Sequence, residues 1–113
     1  DARLRDGQPG AAVAILEPVW AREPSAEVAR RLGMAYVLTN RYAEALPVLE
    51  AFLTAHPTDQ EALLAAIVSR YEVVQAGQTL SNADRLALKT WASAYRGAQT
   101  GLVDKYLSTL GVR

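Results

Sequence analysis

The chain has 113 residues, half of them hydrophobic, and its twelve Lys and Arg balance twelve Asp and Glu. That length bounds it to one domain with a modest core, and a net charge near zero argues against a nucleic-acid or membrane-surface binder, which needs a basic excess. The lack of cysteine removes disulfides, thiolate metal ligands and a Cys nucleophile, and no run of about 18 apolar residues is present to span a membrane.

Twenty-one alanines against only seven glycines and five prolines favour helices throughout. No segment alternates apolar and polar residues as a half-buried strand would. Pro9 suits the first turn of a helix, where its missing N–H costs nothing. From about Gly10, the residues Val13, Leu16, Val19 and Trp20 recur at helical spacing and mark one buried face. Pro18 interrupts that stripe. An interior proline removes a backbone bond and clashes with the preceding turn, at about 3 kcal/mol, so a kink or early break is expected there. Ser25 is the expected cap of the next helix, with Glu27 favourably placed in its first turn. Leu32, Ala35, Tyr36 and Thr39 face inward, and Asn40-Arg41 makes a turn.

The following helix carries Tyr42, Ala45, Leu46, Leu49, Phe52 and Leu53. Pro47 lies early enough in it to be tolerated or to give a slight bend, and Pro57 ends it. Thr58 or Asp59 caps a helix over residues 61–75. One side of that helix is small, with Ala62, Ala65, Ala66, Ser69 and Val73; Leu63, Leu64, Ile67, Val68, Tyr71 and Val74 make most of the remainder apolar. A helix apolar nearly all round is buried on several faces, so later helices are expected to wrap over it. Gly77 is a C-terminal stop. Ser81 and Asp84 form a capping box with Asp in place of Glu, ahead of a face made by Leu88, Trp91 and Tyr95. After a break over residues 96–101, a final helix sets Leu102, Val103, Tyr106, Leu107 and Leu110 against Asp104, Lys105, Ser108 and Thr109. One apolar and one polar face is what a capping helix at the end of a stack requires.

One stretch carries a longer pattern. Ala29-x2-Leu32-Gly33-x2-Tyr36 is followed by Ala45-x3-Leu49 and then Pro57. Laid 33 positions earlier, the second half repeats: Ala12-x3-Leu16 matches Ala45-x3-Leu49, Glu17 matches Glu50, Val19 matches Phe52 and Pro24 matches Pro57. This resembles the tetratricopeptide repeat, W-x2-L-G-x2-Y…A-x3-F…P on a period of about 34 residues. The resemblance covers residues 1–75; beyond it the chain is helical but departs from the pattern, and Ala66-Ile67-x2-Arg70 stands where a second Leu-Gly-x2-Tyr would be. It implies an all-α fold of about six helices, stacked as helical hairpins in a right-handed superhelical solenoid with a C-terminal capping helix. Residues 1–24 then read as a truncated repeat, 25–57 as a full repeat, 58–80 as a degenerate repeat helix and its connection, and 81–113 as C-terminal helices. By the same register Gly7 falls on Asn40 and Ala2 on Ala35, so residues 1–6 read as the end of a helix begun elsewhere, in a fragment of a longer protein. Gly33 is expected to be small because a partner helix crosses closely there.

Nothing in the chain assembles a catalytic set. His56 is the lone histidine, beside Pro57, and reads as a solvated turn residue, since metal or nucleophilic chemistry needs a second ligand or base in reach. The carboxylates are scattered over helix surfaces rather than converging as paired acid and base. The chain is therefore read as non-catalytic, without cofactor or metal, and Trp20 and Trp91 as core residues.

The resemblance implies that the first helix of each pair lines a concave groove that binds another protein as a scaffold or adaptor does, with a peptide or helix laid along it. Arg30, Met34 and Val37 would line it in one repeat and Leu64, Val68 and Tyr71 in the next. Met is adaptable at such surfaces, and Tyr and Arg are enriched at interface hot spots. Part of the family grips a carboxylate with a Lys/Asn/Arg set; Arg30 fits that set, but Met34 stands where Asn belongs, so no such clamp is read. Two readings of these residues stay open: a free groove, or one covered by the C-terminal helices. Two other roles compete with groove binding. One is self-association through an open N-terminal end exposing Val13, Leu16 and Trp20; the other is service as a helical accessory segment of a larger enzyme.

Overall fold

A computed structural model describes residues 9–112 as six α-helices with no strand among them: α1 (Pro9–Arg22), α2 (Ala26–Leu38), α3 (Tyr42–Ala55), α4 (Gln60–Gln75), α5 (Asn82–Ala94) and α6 (Thr100–Leu110). The expectation for residues 1–6 lies outside the described residues. Each of three helices starts on the side chain expected to cap it. Ser25 accepts from the Val28 N–H at 3.2 Å, and Asp59 accepts from the Ala62 N–H at 3.0 Å. Ser81 accepts from the Asp84 N–H while the Asp84 carboxylate accepts from the Ser81 N–H, a complete capping box at 3.1 and 3.0 Å.

The helix ends follow as closely. Asn40 takes the left-handed conformation, φ 61°; its N–H donates to Val37 C=O and the Arg41 N–H to Tyr36 C=O. This paired closure satisfies two orphan carbonyls and turns the chain sharply into α3. Gly77, at φ 115°, closes α4 in the same way through Val74 and Val73. The final helix starts at Thr100, two residues earlier than the expected break allows.

Pro18 and Pro47 both lie inside uninterrupted helices, so the early break expected at Pro18 does not occur. The carbonyls deprived of a partner belong to Ala14 and Ala43, and both residues are exposed, as are the two prolines. On this exposed face solvent is free to take the place of the lost bond, while the inner face keeps its burial.

α2 packs most extensively on α3, α3 on α4, and α1 on α2, with α2 also touching α4. These contacts build a layered stack of antiparallel pairs. The core runs through it: Leu32, Leu49, Leu63, Ile67 and Leu88 are almost wholly removed from solvent. A β-carbon built on Gly33 would stand 2.6 Å from Leu49 Cδ2, so the close helix crossing expected there is real and is filled by the Leu49 side chain. α4 is the hub, packed by α2, α3, α5 and α6, which is why its sequence is apolar nearly all round.

Polar side chains lock the layers. The Tyr36 hydroxyl donates to Glu17 of α1 at 2.5 Å, and the Arg41 guanidinium lies over the Tyr36 ring, 5.0 Å from its centroid. Gln60 at the start of α4 donates to Ala94 C=O at 3.2 Å and accepts from the Arg96 N–H, pinning the α5–α6 connection. Arg70, buried in α4, reaches Asp84 at 3.3 Å and so joins the hub to the α5 cap. Val13 takes a place in the core at 2% exposure, with Leu16 and Trp20 half-buried against it. Val13 therefore does not form part of an open apolar end.

Candidate functional site

The two helices expected to line a groove, α2 and α4, are neighbours. Arg30, Met34 and Val37 recur at i, i+4, i+7 along α2, and Leu64, Val68 and Tyr71 recur at the same spacing along α4. All six are half-buried. Each stripe lies beside a fully buried one, Leu32–Tyr36 on α2 and Leu63–Ile67 on α4. Each of these neighbouring helices thus keeps a partly exposed apolar margin beside its buried face.

The two ends of this margin differ. At the start of α4, the Arg30 guanidinium donates to Asp59 at 3.1 Å and Glu61 at 2.9 Å. Burial works against the Arg30 charge, but the bonds to Asp59 and Glu61 outweigh it and hold the pKa above its ordinary value. Burial likewise pushes the Asp59 carboxyl up, while the Ala62 N–H and Arg30 prevail and hold it below the usual range. Arg30 is therefore a neutralised strut between α2 and α4, and this end carries one carboxylate more than it has cations.

At the other end, the Tyr71 ring stacks on Tyr106 of α6, centroids 4.1 Å apart and planes 23° from parallel. Burial pushes the Tyr106 hydroxyl above its ordinary value, aided by the nearby Glu72, Tyr71 and Tyr42. α6 thus meets α4 at Tyr71, and Met34, Val37, Leu64, Val68 and Tyr71 all keep part of their surface.

Sequence periodicity passed over a second apolar feature. Between α3 and α5 lies a cleft of about 400 Å³, with Leu53 and Trp91 among its lining residues. Leu86, 66% exposed, stands on its α5 side. Its one sequence signal was position, since two residues from Leu88 put it on the opposite, otherwise polar face of α5. His56 is exposed and stacks on Phe52 at 4.9 Å. Among the described residues no three His, Asp or Glu side chains converge as metal ligands, and no helix is long and apolar enough to cross a membrane.

A scan against protein-family models matches residues 3–67 to the tetratricopeptide repeat. No curated protein and no solved structure gives a significant match. The family match spans more than half of the chain, and the residues it covers, α1 to α3 and the first half of α4, form the paired, stacked helices that such a repeat builds. The protein belongs to the tetratricopeptide repeat family, whose repeats generally mediate protein–protein interaction.

Proposed function

We propose that the chain is a non-catalytic scaffold or adaptor module that holds a peptide or helix of another protein along the α2/α4 margin. The carrying observation is that Met34 and Val37 on α2, and Leu64 and Val68 on the neighbouring α4, keep apolar surface in water beside a closed core. Surface of this kind is stabilised by a ligand that removes it from water, at about 25 cal/mol per Å², and two parallel stripes at helical spacing suit a ligand read at i, i+3 and i+4. Arg30 shapes the end of the strip through Asp59 and Glu61 rather than serving as a free cation. Tyr71, stacked under Tyr106, sets its other limit.

Selection of short displayed peptides on the immobilised chain tests this. Selected peptides are expected to lose binding to the Met34→Glu/Val37→Glu variant while circular dichroism and melting show that its helices remain. Undiminished binding to that folded variant would rule the strip out.

A further inference from the structure

The cleft between α3 and α5 is lined by the end of α3 with the turn after it and by a full stripe of α5. Glu50, Leu53 and Thr54 follow at i, i+3 and i+4 at the end of α3, and Pro57 stands in the turn beyond its last residue, Ala55. Facing them, Ala83, Leu86, Ala87, Thr90 and Trp91 follow at i, i+3, i+4, i+7 and i+8 along α5. The α5 stripe is two turns long, about 12 Å at 1.5 Å per residue, and α3 contributes about one turn. Both helices pack on α4, yet α3 and α5 are not among the helix pairs in substantial contact. The trough between them is thus flanked like the seat of a third helix. The small side chains Ala83 and Ala87 let a backbone come close, and Leu86 offers an apolar ridge to grip.

The polar content of the trough selects among occupants. Thr54 and Thr90 are turned back on their own helices, donating to the carbonyls of Glu50 and Leu86 at 2.9 and 3.0 Å. That leaves Glu50 as the single charged liner, with no cation among the described residues at ion-pair distance. A volume of about 400 Å³ would admit a small molecule, but such sites place several convergent polar groups to orient their ligand, and this one offers a lone carboxylate. An amphipathic helix meets the description better: apolar residues fill the trough and one basic residue reaches its rim.

We propose that the α3/α5 cleft is a second docking surface, separate from the α2/α4 margin, for an amphipathic helix of another protein at least two turns long. That helix carries apolar side chains at i, i+3 or i+4, and i+7, and a Lys or Arg placed against Glu50.

The test uses a display library of single helices. Leu, Ile, Phe and Trp vary along one stripe, and Lys, Arg, Gln and Glu vary at the flanking positions. Selection is on the folded chain, with Leu86→Glu as counter-target; Leu86 is exposed, so the substitution leaves the core intact. Clones are expected to enrich with a basic flanking residue and to bind Leu86→Glu roughly tenfold more weakly or worse. Replacing that basic residue by Glu is expected to weaken binding to the wild type roughly fivefold and to restore it on Glu50→Lys. Enrichment no better than on Leu86→Glu overturns the proposal. So does binding indifferent to the charge exchange, or binding abolished by Met34→Glu and not by Leu86→Glu. Sedimentation of the wild type as a dimer that Leu86→Glu disperses would give the cleft to a second copy and overturn it as well.

Discussion

Gly33 and Leu49 meet where α2 crosses α3: a β-carbon on Gly33 would fall 2.6 Å from Leu49 Cδ2 and 2.8 Å from its Cγ. Leu49 has no exposed surface, so its side chain cannot swing aside. Ala at position 33 gains about 1 kcal/mol in helix propensity, but overpacking a dense core costs about 1–3 kcal/mol, and the clash wins. Gly33→Ala is expected to lower the unfolding free energy by about 1 kcal/mol, measured by urea titration. In a Leu49→Ala background the same change should be neutral or stabilising, because the obstructing atoms are gone.

Asp84 caps α5 and faces Arg70. Its hydrogen bond to the Ser81 N–H, followed by the Ser81 hydroxyl and the Arg70 charge, holds the carboxyl below the usual range against a smaller opposing effect of burial. The unfolded chain therefore binds this proton first. The contribution is complete above the ordinary carboxyl value of 3.8 and disappears as pH falls through the lower folded value. Asp84→Ala also leaves Arg70 buried without its partner, so a loss of about 2–4 kcal/mol is expected at neutral pH. Melting temperatures compared at neutral and acid pH should show the variant and wild type converging.

Tyr36 reports the joint between α1 and α2. Burial first, and then the hydrogen bond to Glu17, push its phenol from 10.0 to about 12. The folded form holds the proton longer than the unfolded chain does, so this contribution stands below pH 10 and fades as pH rises toward 12. Tyr36→Phe is expected to cost about 1 kcal/mol at neutral pH, a modest figure because the half-exposed Glu17 can return to water. It should also flatten the alkaline fall in stability, followed by ultraviolet titration and circular dichroism together.

Ser69 is fully buried in the small-residue side of α4, and its hydroxyl has no hydrogen-bond partner among the described residues. An unpaired buried hydroxyl carries a desolvation penalty of about 1–3 kcal/mol, and Ala is the better helix former. Ser69→Ala is expected to raise stability by about 1 kcal/mol in a denaturant titration; a lower midpoint would show that the hydroxyl is satisfied.

α6 is attached chiefly to α4, with Tyr106 on Tyr71 as its aromatic contact. An aromatic pair contributes about 0.5–1.5 kcal/mol beyond its buried area, a large share for a helix with one main neighbour. Tyr106→Ala is expected to speed amide exchange throughout residues 100–110 while α2 and α3 keep wild-type protection. Uniform acceleration across all helices would show that α6 opens only with the whole stack.

Whatever lies within a few residues was written in the sequence. The Ser25, Asp59 and Ser81–Asp84 caps, the Asn40 and Gly77 turns, and the buried faces of each helix all depend on neighbours three or four positions away. A side chain and a helix period suffice to place them. Even the close approach at Gly33 could be anticipated, because the repeat carries the long-range pairing of its two helices within its own pattern.

Only the tertiary structure decided what faces what across the stack. Pro18 sits in a continuous helix on whose exposed side both it and Ala14 lie; Arg30 found Asp59 and Glu61, Arg70 found Asp84, and Tyr71 came to lie under Tyr106. The α3/α5 cleft exists because both helices lean on α4 without closing on each other. Periodicity names the side of a helix that is buried, but the rigid placement of one helix against another is the sum of many weak contacts distant in the chain, and no local pattern carries that sum.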